Sequence, residues 1–340
     1  VARCFHHTEF ESLTKLLDVL RIGYKSVIII VTIHPEAFMS QICEITEELR
    51  TKMPDLQIKQ QEPMKLHTSF RVGGPCDLLV QPRSVSELRD VLLLLQEHAV
   101  RPVILGAGTN VLVSDEGIRG VVLSTKLISA IEQTGETILT ACCGAQMSRL
   151  AGVAMERGLT GLEFAQGIPG TVGGGVFMNA GAYDGEIKNV AARTTVLTLD
   201  GTLRDYAGEA QGFRYRGSAF QNMDGIIVQT EFRLTRGNQE AIRRKMQDFA
   251  QRRRSKQPLE LPSAGSTFKR PAGYYAGALI QEAGLKGFRI GGAAVSEKHA
   301  GFVVNLGDAT AQDVKAVIEA VQKRVYENSG VMLEPEVRLI

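Results

Sequence analysis

The chain has 340 residues and a net charge of +2, with 44% hydrophobic and 22% charged residues. That length accommodates two or three domains with cores of their own, and the composition is that of an ordinary globular protein. The near-neutral balance gives no global field for nucleic acid, and five cysteines with no CxxC spacing form neither a disulfide framework nor a zinc site.

Residues 1–38 hold a capping box at Thr8–Glu11, an apolar helical face at Phe10, Leu13, Leu17 and Leu20, and a strand-like run at Val27–Ile33. The run is too short to span a bilayer and no small-residue cleavage site follows, so the expected location is cytoplasmic, without membrane insertion. These residues are read as an N-terminal extension of unassigned role, with Met39 as a native start. A natural N-terminus found at Val1 by mass spectrometry would overturn that. A helix is expected from Met39, with Ile42, Ile45 and Leu49 on one face, and residues 39–65 form an N-terminal helical segment.

From Leu66 the pattern changes. Asp77–Val80 is apolar, and Ser84–Ala99 predicts an amphipathic helix capped by Ser84 and Glu87. Pro102–Val113 reads as strand, tight turn, strand. Short strands follow at Val121–Ser124 and Thr137–Ala141, then a helix at Gln146–Arg157. Ala192–Leu199, Thr202–Tyr206 and Gly225–Leu234 have β character. Helices are expected at Asn238–Arg254, Gly273–Glu282 and Asp308–Asn328, with strands at Phe302–Asn305 and Val331–Leu339. The class is α+β, divided at about Arg236 into a β-rich domain over 66–236 and a C-terminal domain over 237–340.

Five stretches carry chemistry. In Leu105-Gly106-Ala107-Gly108-Thr109-Asn110, glycines let backbone N–H groups converge on an anion, and Thr109 and Asn110 add side-chain donors. Val111 and the strand after it rule out a Rossmann fingerprint, and no GKS or GKT allows a Walker loop. Gly161–Glu186 holds eight glycines among Leu162, Phe164, Ile168, Val172, Val176 and Phe177, so it is packed backbone that either forms turns or lies against a large flat or anionic group. Arg214 and Arg216 would share one face of a strand, able to hold a carboxylate or pair with surface acids. Ser263–Pro271 sets Ser266 beside Gly265, with Lys269 three residues on; a nucleophile, a proton donor and a polar turn all fit. In a terminal strand Glu334, Glu336 and Arg338 would point one way. The basic run Arg252–Lys256 has the pattern of a solvated face. Six scattered histidines predict no metal site.

Together and in this order these blocks resemble the UDP-N-acetylenolpyruvylglucosamine reductases. The resemblance covers Leu66–Ile340 and rests on HTSFRVGGPCD, LGAGTNVLVSD, GLEFAQGIPGTVGGGVFMNAGAYDGE, FRYRGSAF, QPLELPSAGSTFKRP, LIQEAGLKG, GGAAVSEKHAGFVVN and LEPEVRLI. It implies a PCMH-type FAD-binding domain of two subdomains plus a C-terminal α/β substrate-binding domain. It implies FAD contacts at Gly106, Ala107, Gly108, Thr109 and Asn110, and at Gly167, Ile168, Pro169, Gly170, Thr171, Gly173, Gly174, Asn179, Ala180 and Gly181. It implies catalysis by Arg216, Ser266 and Glu336, and contacts from Lys269, Lys286 and His299 to a UDP-sugar enolpyruvyl ether. In the implied reaction NADPH reduces FAD, flavin N5 delivers hydride, Arg216 and Glu336 stabilise an enolate, and Ser266 gives the proton, helped by Lys269 or a water relay. The product is UDP-N-acetylmuramate for peptidoglycan.

Thr109 stands where the family commonly has serine, and Asp184 where glycine is frequent. With 49 residues between Arg216 and Ser266, the chain matches the shorter variety that lacks a tyrosine-bearing loop over the substrate. The alternative is another PCMH-type FAD oxidoreductase acting on an alcohol. Many of those bind FAD through a histidine, and neither Gly106–Asp115 nor Gly161–Glu186 contains one.

Overall fold

A computed structural model describes residues 35–340, with side chains described from Met39 onward. The helix and strand expected within residues 1–33 lie outside the described residues. Helix α1 (Pro35–Lys52) starts before Met39, and its stripe of Ile42, Ile45 and Leu49 is buried. The segment expected to stay helical to residue 65 instead forms strand β1 (Gln57–Pro63), paired antiparallel with β2 (Pro75–Gln81). Its Gln-Ile-Lys-Gln-Gln-Glu sequence offers little hydrophobic signal, so the neighbouring strand decides its state.

The first subdomain is a four-stranded sheet completed by β3 (Val103–Leu105) and β5 (Ile118–Ser124), in the order β1-β2-β5-β3, with β4 (Val111–Leu112) outside it. β2, β5 and β3 run parallel, which requires a crossover, supplied by helix α2 (Val85–Glu97). Ser84 Oγ accepts the Glu87 N–H at 3.0 Å, while the Glu87 carboxylate accepts the Arg83 N–H at 2.8 Å, one residue before the expected partner. Leu88, Val91, Leu92 and Leu95 of α2 are buried, each contributing roughly 1.5–3 kcal/mol.

The second subdomain is antiparallel. β6 (Ile131–Gly135), β7 (Ile138–Cys142), β8 (Ala191–Thr198), β9 (Leu203–Ala207) and β10 (Gly225–Arg233) make a sheet of order β9-β8-β10-β7-β6. Its core takes in α3 (Met147–Glu156) through Leu150 and Ala154, the glycine-rich stretch through Leu162, Phe164 and Val172, and α5 (Gln239–Lys256) through Ile242 and Met246. The short helix α4 (Val172–Phe177) lies within the glycine-rich stretch. By packing, α5 therefore joins the core of this sheet.

The C-terminal unit contains α6 (Ala276–Glu282), a small antiparallel sheet of β11 (Arg289–Ile290), β12 (Ala293–Val295) and β13 (Val303–Asn305), and α7 (Ala311–Ser329). Helix α7 starts with a reciprocal Thr310/Asp313 capping box and ends at Gly330, φ +69. Asp115, from the first subdomain, accepts the N–H groups of Ala311 at 2.7 Å and Gln312 at 2.9 Å. Such a cap contributes about 0.5–2 kcal/mol and here ties the two units together. The final strand β14 (Arg338–Leu339) pairs parallel with β4. The long strand expected over 331–339 is thus reduced to two residues.

Candidate active site

A cavity of about 690 Å³ opens where the two subdomains and the C-terminal unit meet, a size usual for a bound organic ligand. One wall is the turn Gly106–Asn110 at the end of β3. Gly108 has φ +67, and a Cβ built there would stand 2.0 Å from the His67 carbonyl oxygen, so only glycine fits. Thr109 Oγ1 donates to the Pro169 carbonyl at 3.1 Å, joining the turn to the glycine-rich stretch. Asn110 Nδ2 donates to the Glu336 carbonyl at 3.1 Å, and the Arg338 N–H donates to the Asn110 carbonyl at 3.0 Å. The turn that was read as an anion cradle thereby also fixes the segment carrying Glu336.

The glycine-rich stretch supplies the facing wall. Ile168, Pro169, Gly170, Thr171, Gly173, Gly174, Ala180 and Gly181 all line the cavity, as do all five residues Gly106–Asn110. Two expected contacts do not line it. Gly167 is exposed and off the cavity wall, and Asn179 is buried with its side chain spent internally: Nδ2 donates to Glu186 and to the Arg214 carbonyl, and Oδ1 accepts the Lys188 N–H. Asn179 is a brace, in the left-handed region at φ +44.

The glycines differ in what they make room for. A Cβ built on Gly173 would meet the Cβ of buried Cys143 at 2.9 Å, and one on Gly175 the Met147 sulfur at 2.8 Å; these two serve packing. A Cβ on Gly174 would meet only Thr171 Oγ1, at 3.6 Å, within the cavity. Gly174→Ala is therefore expected to keep or raise the unfolding temperature of the flavin-free protein, since alanine gains up to about 1 kcal/mol in a helix, while weakening flavin retention. Gly173→Ala should lose about 1–3 kcal/mol of stability by overpacking. Thermal unfolding with and without flavin, beside the flavin-to-protein absorbance ratio, checks both; a reversed ranking rejects this division.

Arg214 and Arg216 do not share a strand face. They sit in a tight turn closed by the Arg214 N–H on the Gly217 carbonyl at 2.9 Å and the reverse bond at 3.0 Å. The Arg214 guanidinium donates to the Ser218 carbonyl and to Gln221 Oε1, bracing the turn. Arg216, at φ +53, turns the other way into the cavity. Its Nε lies 2.9 Å from Glu336 Oε1, an ion pair whose N–H is not aligned as a hydrogen bond, and that buried N–H has no other partner. A non-glycine residue held in this conformation costs of order 1–3 kcal/mol, which the surrounding bonds offset.

Ser266 also lines the cavity and is an exposed residue. Its neighbours are locked from both sides. The Thr267 N–H donates to the Gly301 carbonyl, Thr267 Oγ1 accepts the Val303 N–H, and the Glu336 N–H donates to the Thr267 carbonyl. Residues distant in sequence, Arg216, Ser266 and Glu336, are thus brought to one cavity. Tyr215 adds a further link, its hydroxyl accepting the Arg270 N–H at 3.1 Å. Burial raises the Glu336 carboxyl above the usual carboxylate range, with Arg216 and then Lys269 pulling it back down.

The expected substrate contacts stand apart from the cavity lining. Lys269 is paired with Glu334, and Lys286 is exposed. His299 stacks edge-on against Phe302 at 4.9 Å and accepts the Gly301 N–H; burial lowers its pKa, and Lys286 and Lys256 lower it further. Arg338, expected on the same strand face as Glu336, lines the cavity, while reading the sequence missed Arg253 and Gln257 there. Arg253 was legible: in α5 the stripe Ile242, Met246, Phe249 runs on to Arg253 at helical spacing, so of three consecutive arginines this one faces inward.

The cavity fits a large polar-edged ligand. Thr171 Oγ1, Arg253 Nε and Gln257 Oε1 are buried without partners on its wall, and buried polar atoms normally have one. Among the described residues no cluster of histidine, cysteine or acid could hold a metal, and no helix is long and apolar enough to cross a membrane. Burial pushes the Cys143 thiol up to about 12, which keeps it protonated.

A family profile described as an FAD binding domain matches residues 76–206. With the two-subdomain cavity and its orphaned polar atoms, this defines the class: an FAD-dependent oxidoreductase. A second profile, the C-terminal domain of UDP-N-acetylenolpyruvoylglucosamine reductase, matches residues 257–340. The chain is 47% identical over 296 residues to the UDP-N-acetylenolpyruvoylglucosamine reductase of Caldanaerobacter subterraneus subsp. tengcongensis, covering 87% of this chain and 98% of that one. It is 48% identical over 297 residues to a UDP-N-acetylenolpyruvoylglucosamine reductase 2 of Bacillus cereus, covering 87% and 97%. The crystal structure of UDP-N-acetylenolpyruvylglucosamine reductase from Thermus caldophilus superposes with a TM-score of 0.71 at 34% identity, covering 84% of this chain and 98% of that one. The chain belongs to the UDP-N-acetylenolpyruvoylglucosamine reductase family.

Proposed function

We propose that the protein reduces UDP-N-acetylglucosamine enolpyruvate to UDP-N-acetylmuramate for peptidoglycan synthesis, with Arg216, Ser266 and Glu336 as its catalytic residues. The observation that carries this is their convergence on one cavity, with an Arg216–Glu336 ion pair at 2.9 Å. When bound, FAD would supply, after reduction by NADPH, the hydride needed at the terminal CH2 carbon of the enolpyruvyl group. Gly106–Asn110 and Ile168–Gly174 would hold it, since they form the facing walls of the cavity.

Hydride addition builds negative charge on the carbon beside the substrate carboxylate and on the carboxylate itself. Arg216 stabilises that enolate from a fixed position, which is most effective in a site sheltered from water. Glu336, with its pKa raised by burial, keeps a larger protonated share than an exposed glutamate and can donate a hydrogen bond to the same carboxylate. Ser266 transfers the proton that completes the lactyl ether. Lys269, held by Glu334, acts on this site through its field rather than as the direct relay to Ser266. Lys256 and Lys286, whose positive charges both bear on His299, supply charge for the UDP diphosphate, and His299 with its lowered pKa offers it a neutral ring.

An anaerobic titration tests the reading. NADPH should bleach the yellow protein, and the enolpyruvyl substrate should restore the colour. No recolouring by that substrate would sink the assignment, and bleaching of the oxidised protein by an alcohol in place of NADPH would favour an alcohol-oxidising relative.

The Glu336 role makes its own prediction. Its pKa is raised, so the hydrogen-bond donor survives above the ordinary glutamate range and is lost as pH rises through the raised value. The recolouring rate should fall along that limb, and Glu336→Gln, which donates at every pH, should flatten it. The same shift makes Glu336 favour folding below the ordinary glutamate range and lose that contribution as pH rises through the raised value. Glu336→Gln should therefore be more stable relative to the parent protein at neutral pH than at acid pH. A falling limb that persists in Glu336→Gln would assign the titration to another group.

A further inference from the structure

A second hollow lies between α3 and α5, a groove of about 600 Å³. That volume suits a small molecule. The groove is separate from the cavity described above, since no residue lines both. Gln166 borders the groove, and Ile168–Thr171 of the same loop line the cavity, so one loop stands between the two.

The charge in the groove is of one sign. Arg149 of α3 and Arg243 and Arg254 of α5 line it, and no aspartate or glutamate does. Arg243 is already paired with Glu240 at 2.5 Å. Arg149 and Arg254 are exposed, and their guanidinium groups have no partner among the described residues. Gln239, at the start of α5, donates from Nε2 to the Glu156 carbonyl at the end of α3 at 3.3 Å. The two helices therefore run in opposite directions, which brings Arg149 toward Arg254 and away from Arg243. Arg243 and Arg254 are separated by about 16 Å of helix, at 1.5 Å per residue. One end of the groove thus holds two free guanidinium groups, a pair suited to phosphate oxygens.

The rest of the groove is apolar and low. Met155 and Met246 line it, and a methionine sulfur makes favourable contacts with an aromatic ring. Gly152 lies between them and the arginine end, in the middle of α3. A Cβ built on Gly152 would meet nothing within 4 Å. No neighbour in the fold requires glycine there, and in mid-helix glycine is less stable than alanine. A flat ligand lying close over the helix backbone supplies the missing reason. Gln166 and Gln247 add amide donors and acceptors at the edges.

We propose that this groove is a binding site for a nucleoside di- or triphosphate, separate from the catalytic cavity. The phosphates lie between Arg149 and Arg254, and the base lies over Gly152 against Met155 and Met246. A protein segment would need a longer apolar face than this groove offers, and a bare polyphosphate would leave the methionine end unused.

The test uses full-length protein loaded with FAD and saturated with UDP-N-acetylmuramate, so that the catalytic cavity is filled. ATP, GTP, UTP and inorganic tripolyphosphate are titrated calorimetrically. At least one nucleotide should bind, and tripolyphosphate should bind more weakly than it. Arg149→Gln and Arg254→Gln should each weaken that nucleotide about tenfold or more, the loss expected for a charge-assisted hydrogen bond. Arg244→Gln, on α5 but outside the groove, should leave it unchanged. Gly152→Ala should raise the unfolding temperature of the nucleotide-free protein and weaken the nucleotide, and Gly152→Leu should abolish binding. No binding of any of the three nucleotides overturns the proposal. Binding that is lost when UDP-N-acetylmuramate is added places the nucleotide in the catalytic cavity and overturns it too. Equal affinity for tripolyphosphate, or an equal loss in Arg244→Gln, reduces the effect to surface charge and again overturns it. A protein that fails to bind UDP-N-acetylmuramate counts against the catalytic reading alone, because the Arg149, Arg254 and Gly152 variants still decide whether the nucleotide sits in the groove.

Discussion

Ser266→Ala is expected to bleach with NADPH at the parent rate and to recolour with the enolpyruvyl substrate about a hundred- to ten-thousandfold more slowly, the usual span for losing a general acid. The hydroxyl is the only group removed. The backbone around it is held by Thr267, whose N–H, carbonyl and hydroxyl are all bonded to residues 301, 303 and 336. The fold and the flavin site should therefore survive intact, so a selective loss in the second half-reaction would report on proton delivery. Stopped-flow absorbance of each half under anaerobic conditions separates them. Equal slowing of both halves would remove Ser266 from the role of proton donor.

Arg216→Ala should slow the second half-reaction by about a hundred- to a thousandfold, the loss typical when one fixed stabiliser of developing negative charge is removed. The backbone provides a control. Arg216 is held at φ +53, where glycine is at ease and other residues are strained. Arg216→Gly should thus lose as much activity as Arg216→Ala while keeping a higher unfolding temperature than it. Arg216→Lys keeps the charge without the planar fork and should recover only part of the rate. Removing the guanidinium also removes the main influence lowering Glu336, so Glu336 should titrate still higher and the falling limb of the pH profile should move upward. An unchanged second half-reaction in Arg216→Ala would sink the role of this residue.

Much of the fold was legible because its elements carry their own local signals. The leucine stripe of α2 with Ser84 before it, the strand–turn–strand around Gly106–Asn110, and α7 between Thr310 and Gly330 all lie within a residue or a few of their expected positions. β1 and β14 were not legible in the same way. β1 is polar and becomes a strand by pairing with β2, and β14 is two residues whose partner, β4, lies more than 220 positions earlier in the chain. The paired arginines failed for a related reason. Spacing two apart implies a shared face only in a strand, and the turn closed by Arg214 and Gly217 sends the side chains to different partners.

The sequence by itself determined the family, the cofactor class and the residue types available for the chemistry, because glycines that must admit backbone and hydroxyls or charges beside them recur as ordered local blocks. Only the tertiary structure decided which members of those blocks face the cavity. It separated Gly174, where a Cβ would make only an ordinary contact with Thr171, from Gly173 and Gly175, whose space is filled by Cys143 and Met147. It spent Asn179 on the turn that carries Arg214. The physical reason is that burial and hydrogen-bond partners are properties of neighbours in space, and the neighbours that count here are far apart along the chain.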